Sequence, residues 1–374
     1  MDLSGPVWMR TQREELARAT RDDRYQRRVG KALDQALARA RSNEPVTLDL
    51  ARDRYVIFSD QHRGARNRAD DFRWCERAYN AALAKYFASG HVLVVLGDGE
   101  ELWQERAGVV IHAYRHTLEL EARFHQAGRY LRVWGNHDDA WSSEILVRLY
   151  LDPLYGEPPL RVSEWLHIRV LDGEEELGTL FLVHGHQGTG TSDRWSRLAR
   201  IPVRYVWRNV QRATGRGWST PATDWLLRAR HNVALYSWAK RQPGLVLVAG
   251  HTHRPVFKSK SHAAQVQEDL DEAERRLAAA PDDAELREAV GHRAAELEWV
   301  RTQDNQRSGP EGVTEMEVPS YFNTGCCSFR NGHITGIEIA EGEIRLIRWP
   351  DDDNRPRAKI LARASLREVL EACR

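Results

Sequence analysis

The fold of this chain is indicated most directly by residues 92–101, which read VLVVLGDGEE. Five consecutive apolar residues followed by a glycine are typical of a buried β-strand. Gly97 lets the backbone turn sharply where that strand ends, so Asp98 stands in the loop that follows. In open α/β sheets, functional groups gather in the loops beyond the carboxyl ends of the strands. Asp98 is therefore the first candidate for a functional residue.

Similar strand-like runs recur along the chain, and the early ones alternate with helical segments. Segments 71–88 and 110–127 have helical spacing, which indicates βαβ units and an α/β fold. The strand-like runs are residues 54–59, 92–96, 130–134, 165–171, 179–183, 245–249, 334–339 and 343–348.

Five of these runs are followed by short motifs rich in histidine and acidic residues. A single motif of this kind is weak evidence, whereas an ordered set after successive strands indicates one shared site. The motifs are Asp60-Gln61-His62, Gly97-Asp98-Gly99-Glu100-Glu101, Gly135-Asn136-His137-Asp138, Val183-His184-Gly185-His186 and Gly250-His251-Thr252-His253.

The motifs supply side chains that bind metal ions through oxygen or imidazole nitrogen. The seven candidate ligands are Asp60, His62, Asp98, Asn136, His184, His251 and His253. Mixed ligation of this kind suits Mn²⁺, iron, Zn²⁺ or Ni²⁺ and disfavours Mg²⁺ and Ca²⁺, and the lack of a thiolate argues against a structural zinc site. So many ligands predict two divalent transition-metal ions, with Mn²⁺ as the first expectation. Such a pair is suited to attacking a phosphate ester with a metal-bound hydroxide.

The ordered set D-x-H, G-D-x-x-[DE], G-N-H-D, H-G-H and G-H-x-H resembles the calcineurin-like dinuclear metallophosphoesterase superfamily over residues 60–253. Asn323-Thr324-Gly325 resembles the segment that closes the sheet in that family. The resemblance implies an α/β fold in the form of a four-layer α/β/β/α sandwich, with helical insertions and the dimetal site at one edge. It also implies hydrolysis of a phosphoester or pyrophosphate bond by a hydroxide that bridges the two ions.

The same resemblance implies a role for each motif residue. Asp98 would bridge the two ions, His137 would stabilise the transition state or act as an acid, and Glu101 would orient His137. The other ligands would form two sets of three, Asp60, His62 and His253 for one ion and Asn136, His184 and His251 for the other.

Within the superfamily, the segment 250–255 (GHTHRP) and the acid-ended G-D-x-x-E are similar to bacterial UDP-2,3-diacylglucosamine pyrophosphohydrolases. Those enzymes place an Arg-bearing helical insertion after the fourth motif. The corresponding segment here, residues 190–241, carries eleven Arg and Lys residues against two Asp and Glu residues. We therefore expect an anionic, phosphate-containing substrate that is nucleotide- or lipid-linked. The candidate substrate-binding residues are Arg63, Arg194, Arg197 and Arg254.

Two alternative functions use the same features differently. A nuclease acting on DNA or RNA would use the basic segment to follow phosphates. A metal-binding regulatory scaffold would act through a helical hairpin expected at residues 261–305, although the intact ligand set argues against it. The arginines and tryptophans of 190–241 are also typical of segments that contact a membrane surface. The oligomeric state stays open.

Length and composition predict one large domain or two in a chain that as a whole is not a polycation. The chain has 374 residues, a formal net charge of +1 and four cysteines without CxxC spacing, and we expect it in the cytoplasm. The expected organisation is a helical N-terminal extension at 1–50, a metallophosphoesterase domain at 51–350 with insertions 190–241 and 261–305, and a C-terminal tail at 351–374.

Overall fold

Two β-sheets form the centre of the computed structural model. The described residues are 23–189, 225–258, 261–291, 293, 294, 297, 318–329, 332–351 and 355–374. In chain order the strands are β1 Val46–Asp49, β2 Tyr55–Phe58, β3 Val92–Leu96, β4 Tyr130–Val133, β5 Val162–Ser163, β6 Trp165–Asp172, β7 Glu175–Val183, β8 Leu245–Ala249, β9 Pro255–Val256, β10 Tyr321–Thr324, β11 Ile334–Ala340, β12 Glu343–Trp349 and β13 Lys359–Ser365.

Most of the described helices cover the outer faces of the two sheets, whereas the eighth belongs to a hairpin and the ninth packs into the core between the sheets. In chain order they are α1 Asp23–Arg41, α2 Phe72–Ala88, α3 Ala107–Ala113, α4 Arg115–Gln126, α5 Glu144–Tyr150, α6 Asp152–Tyr155, α7 Trp225–Ala239, α8 Ser261–Ala279 and α9 Leu366–Glu371, with a 3₁₀ turn at Asp139–Ser142.

The sheets are mixed. The larger has the order β13-β12-β11-β2-β3-β4-β5, and the smaller has the order β1-β6-β7-β8-β10-β9. Strands β2 to β5 pair in parallel, as do β7 with β8 and β8 with β10. The carboxyl ends of β2, β3 and β4 therefore lie along one edge of the larger sheet.

The sequence of β3 is apolar throughout because both faces of the strand are buried. Val94 and Leu96 belong to the core between the two sheets. Leu93 and Val95 belong to a second core beneath α2 and α4. A strand buried on both faces reads as a continuous apolar run, which is what residues 92–96 predict.

The smaller sheet is covered by α1 and α7. Val29 and Leu33 of α1 share one core with Leu235 of α7 and Phe181 of β7. The indole Nε1 of Trp238 on α7 also donates to Oδ1 of Asp34 on α1 at 2.7 Å. Together with the helices on the larger sheet, this gives the four layers that were predicted.

The four edge strands β1, β5, β9 and β13 were not predicted, and two of them lie in segments expected to be a helical extension or a tail. Within the expected helical extension 1–50, β1 pairs in parallel with β6. Within the expected tail 351–374, β13 pairs with β12 before the terminal helix α9 begins. Strand β1 is short and strand β13 is largely exposed, so neither segment has the apolar periodicity that identifies a strand.

Helix α8 and the helical residues 284–291 form the two described arms of a hairpin. Oδ1 of Asp283 accepts hydrogen bonds from the amides of Glu285 and Leu286, so Asp283 caps the second arm as its sequence suggests. The two arms pack through Leu270, Val290, Ala294 and Leu297. None of the described helices is long and apolar enough to span a membrane.

Candidate metal centre

The sequence motifs meet at the edge where the strands of both sheets end. Asp60 lies two residues beyond β2, and Asp98 lies two residues beyond β3. His184 directly follows β7, and His251 lies two residues beyond β8. Segments that are far apart along the chain therefore form one site.

The backbone is left-handed at five of the seven predicted ligands. Their φ angles are 56° at Asp60, 48° at His62, 51° at Asp98, 68° at His251 and 56° at His253. Residues other than glycine seldom adopt this conformation, and such strain clusters at functional sites. Glycine at these five positions would remove the strain. The presence of aspartate and histidine there instead indicates that their polar atoms are needed.

Two glycines allow the loops to approach each other closely. A Cβ atom on Gly135 would lie 2.6 Å from the backbone nitrogen of Asp98, and one on Gly250 would lie 2.6 Å from Oδ2 of Asp60. No real side chain fits in such a space. These glycines therefore set the spacing between the loops that carry the predicted ligands.

Asp60, His62 and His253 form the first group of candidate ligands. Nε2 of His253 lies 3.1 Å from Oδ1 of Asp60, and Nε2 of His62 lies 3.1 Å from Nε2 of His253. Two nitrogens that are each about 2.0–2.1 Å from one ion lie roughly 3 Å apart. The three side chains thus converge at a separation that fits one bound cation.

Asp98, His184 and His251 form the second group, and Asn136 lies between Gly135 and His137, which both contact Asp98. Nε2 of His184 is 3.1 Å from Oδ2 of Asp98, and that same oxygen is 3.6 Å from Nε2 of His62 in the first group. Asp98 therefore faces both groups.

The second group fits a metal ion because its donor atoms are buried without hydrogen bonds. Among the described residues, no hydrogen bond of normal geometry reaches Oδ2 of Asp98, Oδ1 of Asn136, Nε2 of His184 or Nε2 of His251, and the close approach of His184 to Asp98 is an ion-pair contact. An unsatisfied buried polar atom costs about 1–3 kcal/mol. Those of Asp98, His184 and His251 belong to one group, and a cation that the three bind together explains them.

Charges in the site favour a bound cation. Burial opposes a charge on His184, but the carboxylates of Asp98 and Asp60 nevertheless raise the pKa of its imidazole to about 9. Burial holds the pKa of His251 well below its usual range. Carboxylates that attract a proton to His184 also attract a cation, and a bound transition-metal ion would take the place of that proton.

His137 and Glu101 lie next to the first group. Nδ1 of His137 is 2.7 Å from Oε2 of Glu101, and the backbone nitrogen of His137 donates to Oδ1 of Asp98 at 2.8 Å. The ring of Trp103 stacks on His137, with centroids 4.0 Å apart and planes inclined by 23°. Because Nδ1 faces the Glu101 carboxylate, Nε2 is the ring nitrogen that can exchange a proton or a hydrogen bond with a substrate.

The position of Arg63 in the structure contradicts its predicted role in substrate binding. Its guanidinium is fully buried and pairs with Oε1 of Glu100 at 2.9 Å and with Oε1 of Glu121 at 2.5 Å. A guanidinium held in this way is not accessible to a substrate. Arg254 is also buried, at 6% exposure, and its substrate contact stays a prediction. Arg194 and Arg197 lie outside the described residues.

Two residues near the ligands were not identified from the sequence as functional. The Asp138 carboxylate accepts hydrogen bonds from the amides of Gly135 at 2.6 Å and Gly99 at 2.9 Å, which ties two ligand loops together. His231 on α7 is buried, and its ring lies 5.3 Å from that of His251. Asp138 lies inside a motif, but nothing in the local sequence distinguishes His231.

A family model for calcineurin-like phosphoesterases matches residues 54–255. Among solved structures, the chain is similar to an uncharacterised protein described as a predicted phosphoesterase from Streptococcus pneumoniae. The two are 10% identical, the match covers 82% of this chain and 97% of that chain, and the TM-score is 0.25. No curated protein gives a significant match.

Proposed function

Since the chain belongs to the calcineurin-like phosphoesterase family, and is thus a hydrolytic phosphoesterase, we propose that it cleaves a phosphodiester or pyrophosphate bond with two metal ions. The observation that carries the proposal is the set of four buried donor atoms without hydrogen bonds, on Asp98, Asn136, His184 and His251. A second group of converging donors lies beside it.

Each of the two groups of converging candidate ligands would hold one ion. Asp98 would bridge them, because its Oδ2 faces both groups. When bound, two divalent ions supply a nucleophile at neutral pH and neutralise charge on phosphoryl oxygens. Imidazole, amide and carboxylate donors favour Mn²⁺, with iron, Zn²⁺ or Ni²⁺ as alternatives. The remaining ligands are Asp60, His62 and His253 for the first ion and Asn136, His184 and His251 for the second.

His137 and Glu101 would act on the substrate rather than hold an ion. The Glu101 carboxylate accepts a hydrogen bond from Nδ1–H of His137, which orients the ring and leaves Nε2 to face the substrate. In its protonated form, Nε2 would stabilise charge on the phosphoryl group or protonate the leaving oxygen. Stacking on Trp103 holds the ring in one plane while it does so.

We propose a nucleotide- or lipid-linked substrate, and the support is the surplus of positive charge in residues 190–241. That segment begins six residues after His184, and the ring of His231, in its described part, lies 5.3 Å from the ring of His251. Anionic groups on a substrate are attracted to such a concentration of arginines.

The first experiment measures metal stoichiometry and turnover on the full chain. After loading with Mn²⁺ and desalting, elemental analysis should find two ions per chain. Asp98→Asn should lose metal and activity on bis-(p-nitrophenyl) phosphate together, whereas Asp271→Asn on the exposed hairpin should change neither. At most one ion in the loaded wild-type protein would refute the two-ion proposal.

The second experiment tests the substrate class. Nucleotide pyrophosphates, lipid-linked pyrophosphates and single-stranded DNA are compared with bis-(p-nitrophenyl) phosphate at low and high salt. Joint neutralisation of Arg194, Arg197 and Arg200 should raise KM for the pyrophosphate substrates far more than for the small diester. Cleavage of DNA with an affinity that falls steeply with salt would instead identify a nuclease.

A further inference from the structure

Helix α1 lies outside the region matched by the family model, yet its first turns contact the loop that carries His184. Nε of Arg28 donates to the carbonyl oxygen of Gly188 at 2.6 Å. Gly188 has a φ of 74°, and a Cβ atom placed on it would lie 2.6 Å from Cα of Val29. Only glycine permits this approach, so the helix and the loop fit directly against each other.

A second connection runs from α1 through α7 to the same loop. The hydroxyl of Tyr25 lies 2.7 Å from Nδ1 of His231, and Nε2 of His231 bonds to the carbonyl oxygen of Gly185. A carbonyl oxygen only accepts, so Nε2 carries the proton and the Tyr25 hydroxyl donates to Nδ1. Two bonds at opposite ends of the ring thus fix its tautomer and its orientation.

The Tyr25 side chain is itself held in place. Two guanidiniums contact its ring, with Cζ of Arg230 3.9 Å and Cζ of Arg28 5.3 Å from the ring centroid. Cation–π contacts of this kind restrict the ring and keep its hydroxyl directed at His231.

Beyond its two hydrogen bonds, His231 supports the second group of candidate ligands. Its ring meets that of His251 edge to face at 5.3 Å, and the ring of His251 meets that of His184 in the same way at 5.2 Å. Gly185, whose carbonyl His231 binds, is the residue directly after His184. Both imidazoles of that group therefore depend on the position of His231.

We propose that Tyr25 and His231 are positioning residues for the second metal ion, so that α1 is a functional part of the centre. This inference rests on the proposed function, because it concerns an ion that the candidate ligands would hold. Residues that orient metal ligands without touching the ion typically change metal affinity about 10–100-fold when they are replaced. Tyr25→Phe would leave Nδ1 of His231 buried without a donor, and the ring would lose one of its two anchors.

The test measures Mn²⁺ affinity by calorimetry in two full-length backgrounds, each with one site disabled. His253→Ala leaves the second site, where adding Tyr25→Phe should weaken Mn²⁺ binding about 10-fold. His184→Ala leaves the first site, where adding Tyr25→Phe should have no effect. His231→Phe, which removes both hydrogen bonds, should weaken the second site by up to about 100-fold.

Asp34→Ala provides the matched control. It removes the hydrogen bond between Asp34 and Trp238, which joins the same two helices away from the metal-binding loop. Its Tm should fall while both Mn²⁺ affinities stay unchanged.

Unchanged Mn²⁺ affinity at the second site after Tyr25→Phe would overturn the inference. Equal weakening by Asp34→Ala would overturn it too, because helix packing alone would then explain the effect. A wild-type chain that binds no Mn²⁺ would instead refute the proposed function, so the two failures are distinguishable.

Discussion

Oε2 of Glu101 lies 2.7 Å from Nδ1 of His137, and the same oxygen lies 3.2 Å from Nδ1 of His62. A single carboxylate therefore contacts both a candidate ligand of the first ion and the candidate acid. Only the contact with His137 was expected from the motifs. The second contact implies that metal binding and proton donation are linked through Glu101.

Replacing Glu101 by glutamine should impair both functions of that carboxylate. Although burial opposes it, His137 and His62 lower the pKa of Glu101 to about 2, so the native group is ionised at neutral pH. We expect Glu101→Gln to weaken Mn²⁺ binding at the first site about 10–100-fold and to lower kcat as well. Titration in the His184→Ala background and steady-state kinetics measure these effects. A variant that changed neither quantity would show that the carboxylate only fills space.

Replacing His137 by alanine should separate catalysis from metal binding. We expect both ions to stay bound while kcat on bis-(p-nitrophenyl) phosphate falls about 10²–10⁴-fold, the range for a positioned acid or base. Elemental analysis and initial rates are the two measurements. His116→Ala on the exposed face of α4 is the control and should behave like the wild type. Loss of an ion together with activity would place His137 among the metal ligands.

The buried ion pairs behind the metal centre should be important for stability. Glu121 on α4 accepts from Arg63 at 2.5 Å and from the hydroxyl of Tyr79 at 3.0 Å, in a fully buried environment. Removing one partner of a buried pair typically costs about 3–5 kcal/mol, and the lower end of that range applies here because Glu100 still pairs with Arg63. Urea unfolding of Glu121→Gln should show a loss of this size.

The matched control for that measurement is Glu119→Gln on the same helix. Glu119 pairs with Arg115 one turn earlier, and both side chains are largely exposed. Exposed pairs of this spacing contribute about 0.3–0.5 kcal/mol. Equal losses in both variants would mean that helix α4, rather than the buried pair, determines the change.

A buried histidine remote from the centre should make stability depend on pH. His91 is 4% exposed, and burial lowers the pKa of its imidazole to about 4. The folded state thus favours the neutral ring. The neutral ring contributes fully to the free energy of unfolding above the unfolded pKa of about 6.5. As the pH falls towards 4, up to about 3 kcal/mol of that free energy is lost.

The measurement for His91 compares unfolding free energies at pH 7 and pH 4. His91→Gln cannot be protonated, so its stability should decline less over this interval than that of the wild type. His116→Gln, at an exposed position, should follow the wild-type curve. If His91→Gln showed the wild-type decline, the loss at low pH would have to come from other groups.

Much of the fold could be predicted because the informative signals are local. The run VLVVL at 92–96 is strand β3 with the same bounds, since a strand buried on both faces has no polar positions. The amphipathic spacing and the Asp283 cap likewise indicated the hairpin arms. Strand β13 was missed because it lies at an edge and is largely exposed, so its sequence does not alternate clearly.

By itself, the sequence determined which side chains could bind metal, because the motifs follow strands whose ends must share an edge of the sheet. It did not determine what each side chain contacts. Arg63 is adjacent to His62, yet it turns inward to Glu100 and Glu121, because its charge can be compensated there. Tyr25 and His231 are 206 residues apart and meet only when α1 and α7 pack on the same sheet. Periodicity describes neighbours along the chain, whereas such contacts arise only from how the layers pack.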